Sequence, residues 1–288
     1  MEKVNFWENL NNNTGISVDK IYSLVDKENR SSTFFPVYTS EDSTSYVSFL
    51  NYWQINIQSK IILVMTYRNL LGEKIYSEWQ ILNELKTYSI NLNGKVVTQE
   101  IFNDFSGSVE VEIFSQKPLR FPFPALSLFI EDKNGLSVVH SCLRAYNINE
   151  CIKDYAIDLP QTGFDVSINQ HNRNYVCFVG TTQRNYKFSL TLRVRNKHFK
   201  SEITLKNEKY GQLHTIYLED IFNFSNKKFK AYLNIEHDLD SFPRFYCGIK
   251  KKKNIPTLTH SFFNTRKFSM GRSSQELLDL KVISQNPE

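Results

Sequence analysis

The chain has 288 residues, and 41% of them are hydrophobic, which is enough for a folded core and excludes a wholly disordered protein. Charged residues make up 23% and the net charge is +5, an excess too small to indicate a nucleic-acid-binding or membrane-surface protein. With only 10 Gly and 8 Pro but 14% aromatic residues, collagen-like, linker-like and coiled-coil classes are excluded as well.

The N-terminal segment predicts a short helix and no targeting signal. Residues 17–27 place Ile21, Leu24 and Val25 on one helical face. No apolar run of the length of a secretory signal follows the start. The longest aliphatic run, residues 61–65, is far shorter than the roughly 20 residues of a membrane span. We therefore expect a cytoplasmic protein without a membrane span.

The most informative feature is an internal repeat, in which residues 46–144 resemble residues 175–264. Seven short matches occur in the same order in both copies, with small changes of offset at expected loops. They pair Tyr46-Val47 with Tyr175-Val176, Arg68-Asn69 with Arg195-Asn196, Ser77-Glu78 with Ser201-Glu202, Asn83-Glu84 with Asn207-Glu208, Ile101-Phe102-Asn103 with Ile221-Phe222-Asn223, Phe121-Pro122 with Phe242-Pro243, and His140-Ser141 with His260-Ser261. We interpret the repeat as a duplication.

Each copy has the pattern of short β-strands. Residues 60–67 and 187–194 are rich in β-branched and aromatic side chains. Residues 109–113 alternate apolar and charged, which predicts one face on a core and the other in solvent. Gly72 predicts a tight hairpin turn. About seven strands per copy favour a β-sandwich.

These patterns predict an all-β protein with two tandem sandwiches, immunoglobulin-like or jelly-roll-like, related by internal duplication. The predicted divisions are an N-terminal extension (1–43), a first sandwich (44–150), a connector (151–173), a second sandwich (174–268), and a C-terminal helix and tail (269–288). The C-terminal helix rests on a capping-box pattern at residues 273–276.

No motif indicates a cofactor or a metal. Glycine-rich phosphate loops, His-Glu-x-x-His and Gly-x-Ser-x-Gly are absent from the sequence. The four cysteines, Cys142, Cys151, Cys177 and Cys247, form no Cys-x-x-Cys pair. We therefore predict no cofactor, no metal site and no catalytic residue, and interpret the cysteines as free thiols.

The first candidate ligand residues are His140 and His260, which occupy equivalent places in the repeat. If the two copies face each other, both imidazoles could contact one ligand or metal across the joint. The alternative is that each is a packed residue with a hydrogen bond inside its own sandwich.

Further candidates come from proline-interrupted and aromatic segments. Residues 120–124 read RFPFP and residues 242–246 read FPRFY, so Arg120, Phe123 and Arg244 could line a sticky edge. The prolines could instead protect that edge from pairing. Trp53 is the last residue of an aromatic cluster that also contains Tyr46, Phe49 and Tyr52. These rings could stack on a sugar or fill the core.

The sequence thus favours a non-catalytic binding or interaction protein, with a carbohydrate or protein ligand at the joint and no nucleic-acid partner. The alternative is a glycan-processing hydrolase or metal-dependent enzyme with a site around His140 and His260. An assembly scaffold acting through an exposed sheet edge is a third hypothesis.

Overall fold

The structure is a computed structural model, and it consists of two β-sandwich units built from four antiparallel sheets. It describes residues 6–9, 15–25, 29–40, 42–56, 58, 60–93, 105–117, 119, 125–133, 135–141, 161–169, 171–223, 228–239, 245–251, 259–260 and 262–263. The prediction of an all-β protein is confirmed. The finer choice between an immunoglobulin-like and a jelly-roll-like class stays a prediction.

The first unit pairs a sheet A with a sheet B, each of four strands. Its strands are β1 (Arg30–Thr39), β2 (Ser43–Leu50), β3 (Ile61–Asn69), β4 (Lys74–Leu82), β5 (Thr87–Asn91), β6 (Phe105–Ser115), β7 (Ser127–Asp132) and β8 (Gly135–His140). The strand order is β1-β6-β3-β4 in sheet A and β5-β2-β7-β8 in sheet B. The predicted turn joins β3 to β4, where Gly72 has a φ of 81° and its N–H donates to the Asn69 carbonyl.

The second unit pairs a sheet C with a sheet D. Its strands are β9 (Gln161–Ile168), β10 (Asn172–Gly180), β11 (Arg184–Val194), β12 (Lys197–Asn207), β13 (Gln212–Tyr217), β14 (Phe229–His237), β15 (Tyr246–Lys251), β16 (Thr259–His260) and β17 (Phe262–Phe263). The order is β12-β11-β14-β9-β17 in sheet C and β13-β10-β15-β16 in sheet D.

Both units begin earlier than the sequence predicts. Strand β1 lies inside the predicted N-terminal extension and pairs along its whole length with β6. Strand β9 lies inside the predicted connector and pairs with β14. Both strands therefore lie ahead of the predicted boundaries at residues 44 and 174. The predicted C-terminal helix lies outside the described residues.

The two units have the same strand order when β1–β8 are matched in turn to β9–β16. Their register also agrees across the middle of sheets B and D. The equivalent rows are Ser48–Ser127–His140 and Cys177–Tyr246–His260. Ser48 follows Tyr46 by two residues, and Cys177 follows Tyr175 by two. The matched tyrosines and the matched histidines therefore lie at corresponding positions in the two sheets.

Among the described residues, short helices accompany the strands, including α1 (Val18–Leu24), α2 (Trp53–Asn56) and α3 (Leu218–Ile221). Helix α1 is the predicted N-terminal helix, and Ser17 caps it by accepting a hydrogen bond from the Lys20 N–H. Its buried Ile21 and Leu24 belong to a cluster with Ile62 and Phe114 of sheet A. Helix α1 thus covers part of the face of sheet A that points away from sheet B.

The cap of α1 gives a first testable expectation. Ser17→Ala should lower the free energy of unfolding by about 1 kcal/mol, because one helix N–H loses its acceptor. Urea unfolding measures the change. Ser17→Asp, which keeps an acceptor at the cap, should retain the stability of the unchanged chain, and an equal loss in both variants would contradict a capping role.

The units contact each other through a joint formed by sheet D and the β1 side of sheet A. The Tyr246 hydroxyl donates to the Phe34 carbonyl at 2.9 Å, and the Tyr38 and Tyr175 rings meet edge to face. Nearby, the Ser108 hydroxyl donates to the Gly211 carbonyl at 2.7 Å. Tyr175 and Tyr246 are each at most 2% exposed, so the joint is a packed interior contact.

Candidate functional site

The strands that carry the two predicted histidines meet at the joint. Strand β16 lies beside β8, with Cα atoms of the two strands within 8 Å of each other. His140 ends β8 with an exposed side chain, and its Nδ1 lies 3.2 Å from the Ser141 carbonyl oxygen. Of His260 the structure describes only the backbone, in β16. The joint therefore brings the backbones of equivalent strand ends together, and a shared ligand stays a prediction.

Trp53 is not on the surface. Its side chain is 2% exposed, and its ring packs on Tyr52 at a centroid distance of 4.4 Å and against Phe49 at 6.1 Å. Trp53 is the first residue of helix α2, which follows β2, and its indole packs into the core of the first unit. Neither face of the ring is therefore open to a sugar. Arg120, Phe123 and Arg244 lie outside the described residues.

A buried ionic cluster, which the sequence did not reveal, lies on the face of sheet A that points away from sheet B. Arg30 of β1 contacts two carboxylates of β6, with Nη2 3.0 Å from Glu110 and Nε 2.6 Å from Glu112. The three side chains are between 1% and 4% exposed. The alternating charges of residues 109–113 therefore do not face solvent as predicted, because other elements cover this second face.

Those covering elements also donate to the cluster. From the second unit, Tyr210 donates its hydroxyl to Glu110 at 2.5 Å. Within sheet A, Arg68 of β3 reaches the other Glu110 oxygen at 3.3 Å. From helix α1, the Tyr22 hydroxyl donates to Glu112. We define these six residues as the ionic cluster. Guanidinium and hydroxyl groups thus contact both carboxylates, and the cluster links helix α1 and the second unit to sheet A.

The pKa of Glu110 is raised from 4.5 to about 7. Burial is the largest cause and the Glu112 charge the second, and together they outweigh the opposing effects of Arg30, Arg68 and the Tyr210 hydrogen bond. A carboxyl whose pKa is higher in the folded state favours folding below its unfolded pKa. That contribution is lost as pH rises through about 7.

This shift predicts how Glu110→Gln changes the pH dependence of stability. The stability of the unchanged chain minus that of the variant should fall between pH 4.5 and about 7, by up to about 1.4 kcal/mol per pH unit. The comparison with the variant is needed because two histidines also titrate in this pH range. Burial lowers the pKa of His214 and of His237 to about 4, so their contribution to stability rises with pH while that of Glu110 falls. Urea unfolding of both proteins at several pH values measures it, and a constant difference would contradict the shift.

A different feature, the outer face of sheet B, is exposed and carries apolar side chains. Cross-strand pairing sets Tyr46, Phe129 and Val138 in one row, and the Tyr46 and Phe129 rings stack at 4.9 Å. On the edge strand, Val138 is 46% and Leu136 53% exposed. His140 lies on the same face, so this surface extends to the joint.

The corresponding face of the second unit is buried in the joint. Tyr175, which corresponds to Tyr46, packs against Tyr38 of sheet A. Cys177, which corresponds to Ser48, accepts a hydrogen bond from the Tyr38 hydroxyl at 3.6 Å. The outer face of sheet D therefore contacts the other sandwich, whereas the equivalent outer face of sheet B is open.

A shallow pocket of about 370 Å³ lies at the end of β12, lined by Gln183, Arg184, Asn185, Lys206, Asn207 and Glu208. Several of its polar groups already have partners: Asn207 Oδ1 contacts His214 Nε2 at 2.8 Å, Asn207 Nδ2 donates to the Thr182 carbonyl at 2.6 Å, and Lys206 pairs with Glu208. Within the described ranges, no three His, Cys, Asp or Glu residues are grouped to hold a metal ion. No helix in the same ranges is long and apolar enough to cross a bilayer.

Comparisons with known proteins do not assign a family. No protein-family model matches the sequence, and no curated protein matches it. Among solved structures, the chain is similar to a beta-glucuronidase from glycoside hydrolase family 2, with 9% identity over 82% of this chain and 24% of that chain and a TM-score of 0.19. For a glycosyl hydrolase family 2 member from Bacteroides cellulosilyticus DSM 14838 the values are 6%, 81%, 28% and 0.17.

A third similar structure is Bacteroides uniformis beta-glucuronidase 2, with 7% identity over 80% of this chain and 26% of that chain and a TM-score of 0.17. The chain spans about a quarter of the length of these structures. Similarity at these TM-scores carries no inference about activity.

Proposed function

We propose that this chain is a non-catalytic binding protein and that the outer face of sheet B, where it borders the joint, is its ligand surface. The observation that carries the proposal is the exposed apolar row on that face. Leu136 and Val138 are about half exposed on an edge strand, beside the stacked Tyr46 and Phe129 rings. Apolar groups grouped in this way mark interaction surfaces more often than isolated ones do.

We infer that the two units derive from a duplication, and this favours a protein ligand for the open face. Strand order agrees between the units, and in sheets B and D the register also agrees at the tyrosines and histidines that the sequence repeat pairs. In the second unit, the equivalent face binds another sandwich through Tyr175, Cys177 and Tyr246. A face that packs on protein in one copy is suited to pack on protein in the other.

The test is capture of a protein partner by the immobilised chain and by two double variants. Leu136→Asp with Val138→Asp places two charges on the proposed surface. Leu70→Asp with Leu71→Asp is the control, because these leucines are similarly exposed, at 47% and 57%, on the β3–β4 turn. We expect a partner, identified by mass spectrometry, whose binding falls at least about tenfold only with the first pair. Equal capture by all three proteins, or none, would contradict the proposal.

The alternative is a glycan-processing hydrolase or metal-dependent enzyme around His140 and His260. Its support is the approach of β8 to β16. Glycoside hydrolysis generally needs two accessible carboxyl groups, whereas Glu110 and Glu112 are occupied by the ionic cluster. Turnover of a glycan that His140→Ala and His260→Ala both abolish without loss of stability, or a bound metal lost with them, would favour the enzyme.

A further inference from the structure

The outer face of sheet C carries an exposed aromatic ring that lies along the sheet. Tyr232 of β14 is 43% exposed. Its hydroxyl end lies over Gly163 of the adjacent strand β9, where any Cβ would overlap the hydroxyl and the ring carbon that bears it. Since Gly163 pairs with Asn234, two residues beyond Tyr232, the ring crosses diagonally to β9. One face of the ring therefore rests on the backbone and the other faces solvent.

Hydrogen-bonding side chains surround this ring. In the same cross-strand row, Arg193 of β11 lies on one side of Tyr232 and Asp165 of β9 on the other, and both are exposed. The next row contributes Thr191 and Asn234. Further along the face, the buried Ser189 hydroxyl has no hydrogen-bond partner in the described part of the chain.

We propose that this face, independently of sheet B, binds a pyranose ring of a neutral polysaccharide. A pyranose has an apolar face of C–H groups, which can stack on the open face of Tyr232. Its rim of hydroxyl groups can donate to the Asp165 carboxylate and accept from the Arg193 guanidinium.

The composition of the face argues against other ligand classes. Acidic and basic side chains are interspersed on it, with Asp165, Glu202 and Glu236 among Arg193, Lys200 and Lys230, so it lacks the continuous positive charge that a nucleic acid requires. Tyr232 is its one large exposed apolar side chain among the described residues, so it also lacks the apolar centre of a protein interface.

Gly163 has a defined role in this proposal. A residue with a Cβ at this position would push the Tyr232 ring away from the backbone of β9. The ring would then stand off the sheet, and its open face would no longer lie level with Asp165 and Arg193. Covering a strand glycine with an aromatic ring also stabilises a sheet, but that role does not require the charged groups on both sides.

The experiment is native affinity electrophoresis in gels containing mixed-linkage β-glucan, xylan or galactomannan, which are neutral, so that charge does not cause retardation. We expect at least one polysaccharide to retard the unchanged chain and Tyr232→Phe, which keeps the ring. Tyr232→Ala should weaken that binding at least tenfold, and Gly163→Ala, which displaces the ring without removing it, should weaken it as well. The control is Phe199→Ala, which removes another exposed ring of the same sheet, 44% exposed, and should change nothing.

The possible outcomes are distinct. Retardation of Tyr232→Ala equal to that of the unchanged chain, or no retardation by any of the three polysaccharides, would overturn the proposal. Thermal unfolding of each variant verifies its fold, and Asp165→Ala, on an exposed side chain, provides a second variant that should also weaken binding. The partner-capture result for sheet B does not affect this outcome, because the two surfaces belong to different units.

Discussion

Replacing Arg30 with alanine should lower the free energy of unfolding by about 3–5 kcal/mol. The guanidinium is buried and contacts both Glu110 and Glu112, so its loss leaves two neighbouring buried carboxylates of one strand without the cation that they share. Part of the cost will appear as further protonation of Glu110, whose pKa is already raised. Urea unfolding should be measured at pH 8, above the pKa of Glu110, because protonating this carboxyl to relieve the lost contact costs more free energy there than at lower pH.

The matched control for this variant is Arg184→Ala. Arg184 also pairs with a carboxylate, Asp238, but the two side chains are 33% and 40% exposed. Water screens such a pair, and its loss should cost less than about 1 kcal/mol. Equal small losses in the two variants would show that the ionic cluster is solvated, and the role assigned to it would be wrong.

Replacing Tyr246 with alanine should be about as destabilising, at about 3–5 kcal/mol, because it empties the centre of the joint. The side chain is 1% exposed, and its hydroxyl bonds to the Phe34 carbonyl of the first unit. We also expect the single unfolding transition to separate into two, as the units lose the contact that joins them. Tryptophan fluorescence, from indoles that all precede residue 80, reports on the first unit, and circular dichroism reports on both.

Tyr246→Phe is the control, since it keeps the ring and removes only the hydrogen bond. It should cost about 1 kcal/mol and leave one transition. If the alanine variant still unfolds in one transition with a loss no greater than that of the phenylalanine variant, Tyr246 does not couple the two units. The role assigned to Tyr246 at the centre of the joint would then be wrong.

Much of the fold follows from local sequence patterns. The β-branched segment at residues 60–67 lies within or next to β3, the turn at Gly72 is where a positive φ was expected, and Ile21 and Leu24 form one buried helical face. These features depend on neighbouring residues only. Side-chain alternation and backbone angle are therefore sufficient to predict them.

The features that failed prediction depend on distant contacts. Strand β1 begins with Arg30 and three hydroxyl residues, which resemble a solvated segment, yet its side chains are buried because sheet A is covered on both faces. For the same reason Glu110 and Glu112 are interior. Alternation shows which residues share a face, but not whether a helix or another unit covers it. The only sequence signal for this buried cluster was the presence of Arg30 in one strand and of Glu110 and Glu112 in another.

The candidate surfaces were partly predictable. The repeat identified His140 and His260 as equivalent, and the structure puts their strands side by side at the joint. It could not reveal that Trp53 is interior, since aromatic residues serve cores and surfaces equally well. Nor could it reveal Tyr232, whose exposure depends on its contact with Gly163 of another strand.

The most direct test of the binding function is hydroxyl-radical footprinting of the chain alone and in complex with its captured partner. In the complex, oxidation of Leu136 and Val138 should fall several-fold, while that of Leu70 and Leu71, which are comparably exposed, should not change. Unchanged oxidation at Leu136 and Val138, with protection confined to other sheets, would contradict the assignment of the ligand surface to sheet B.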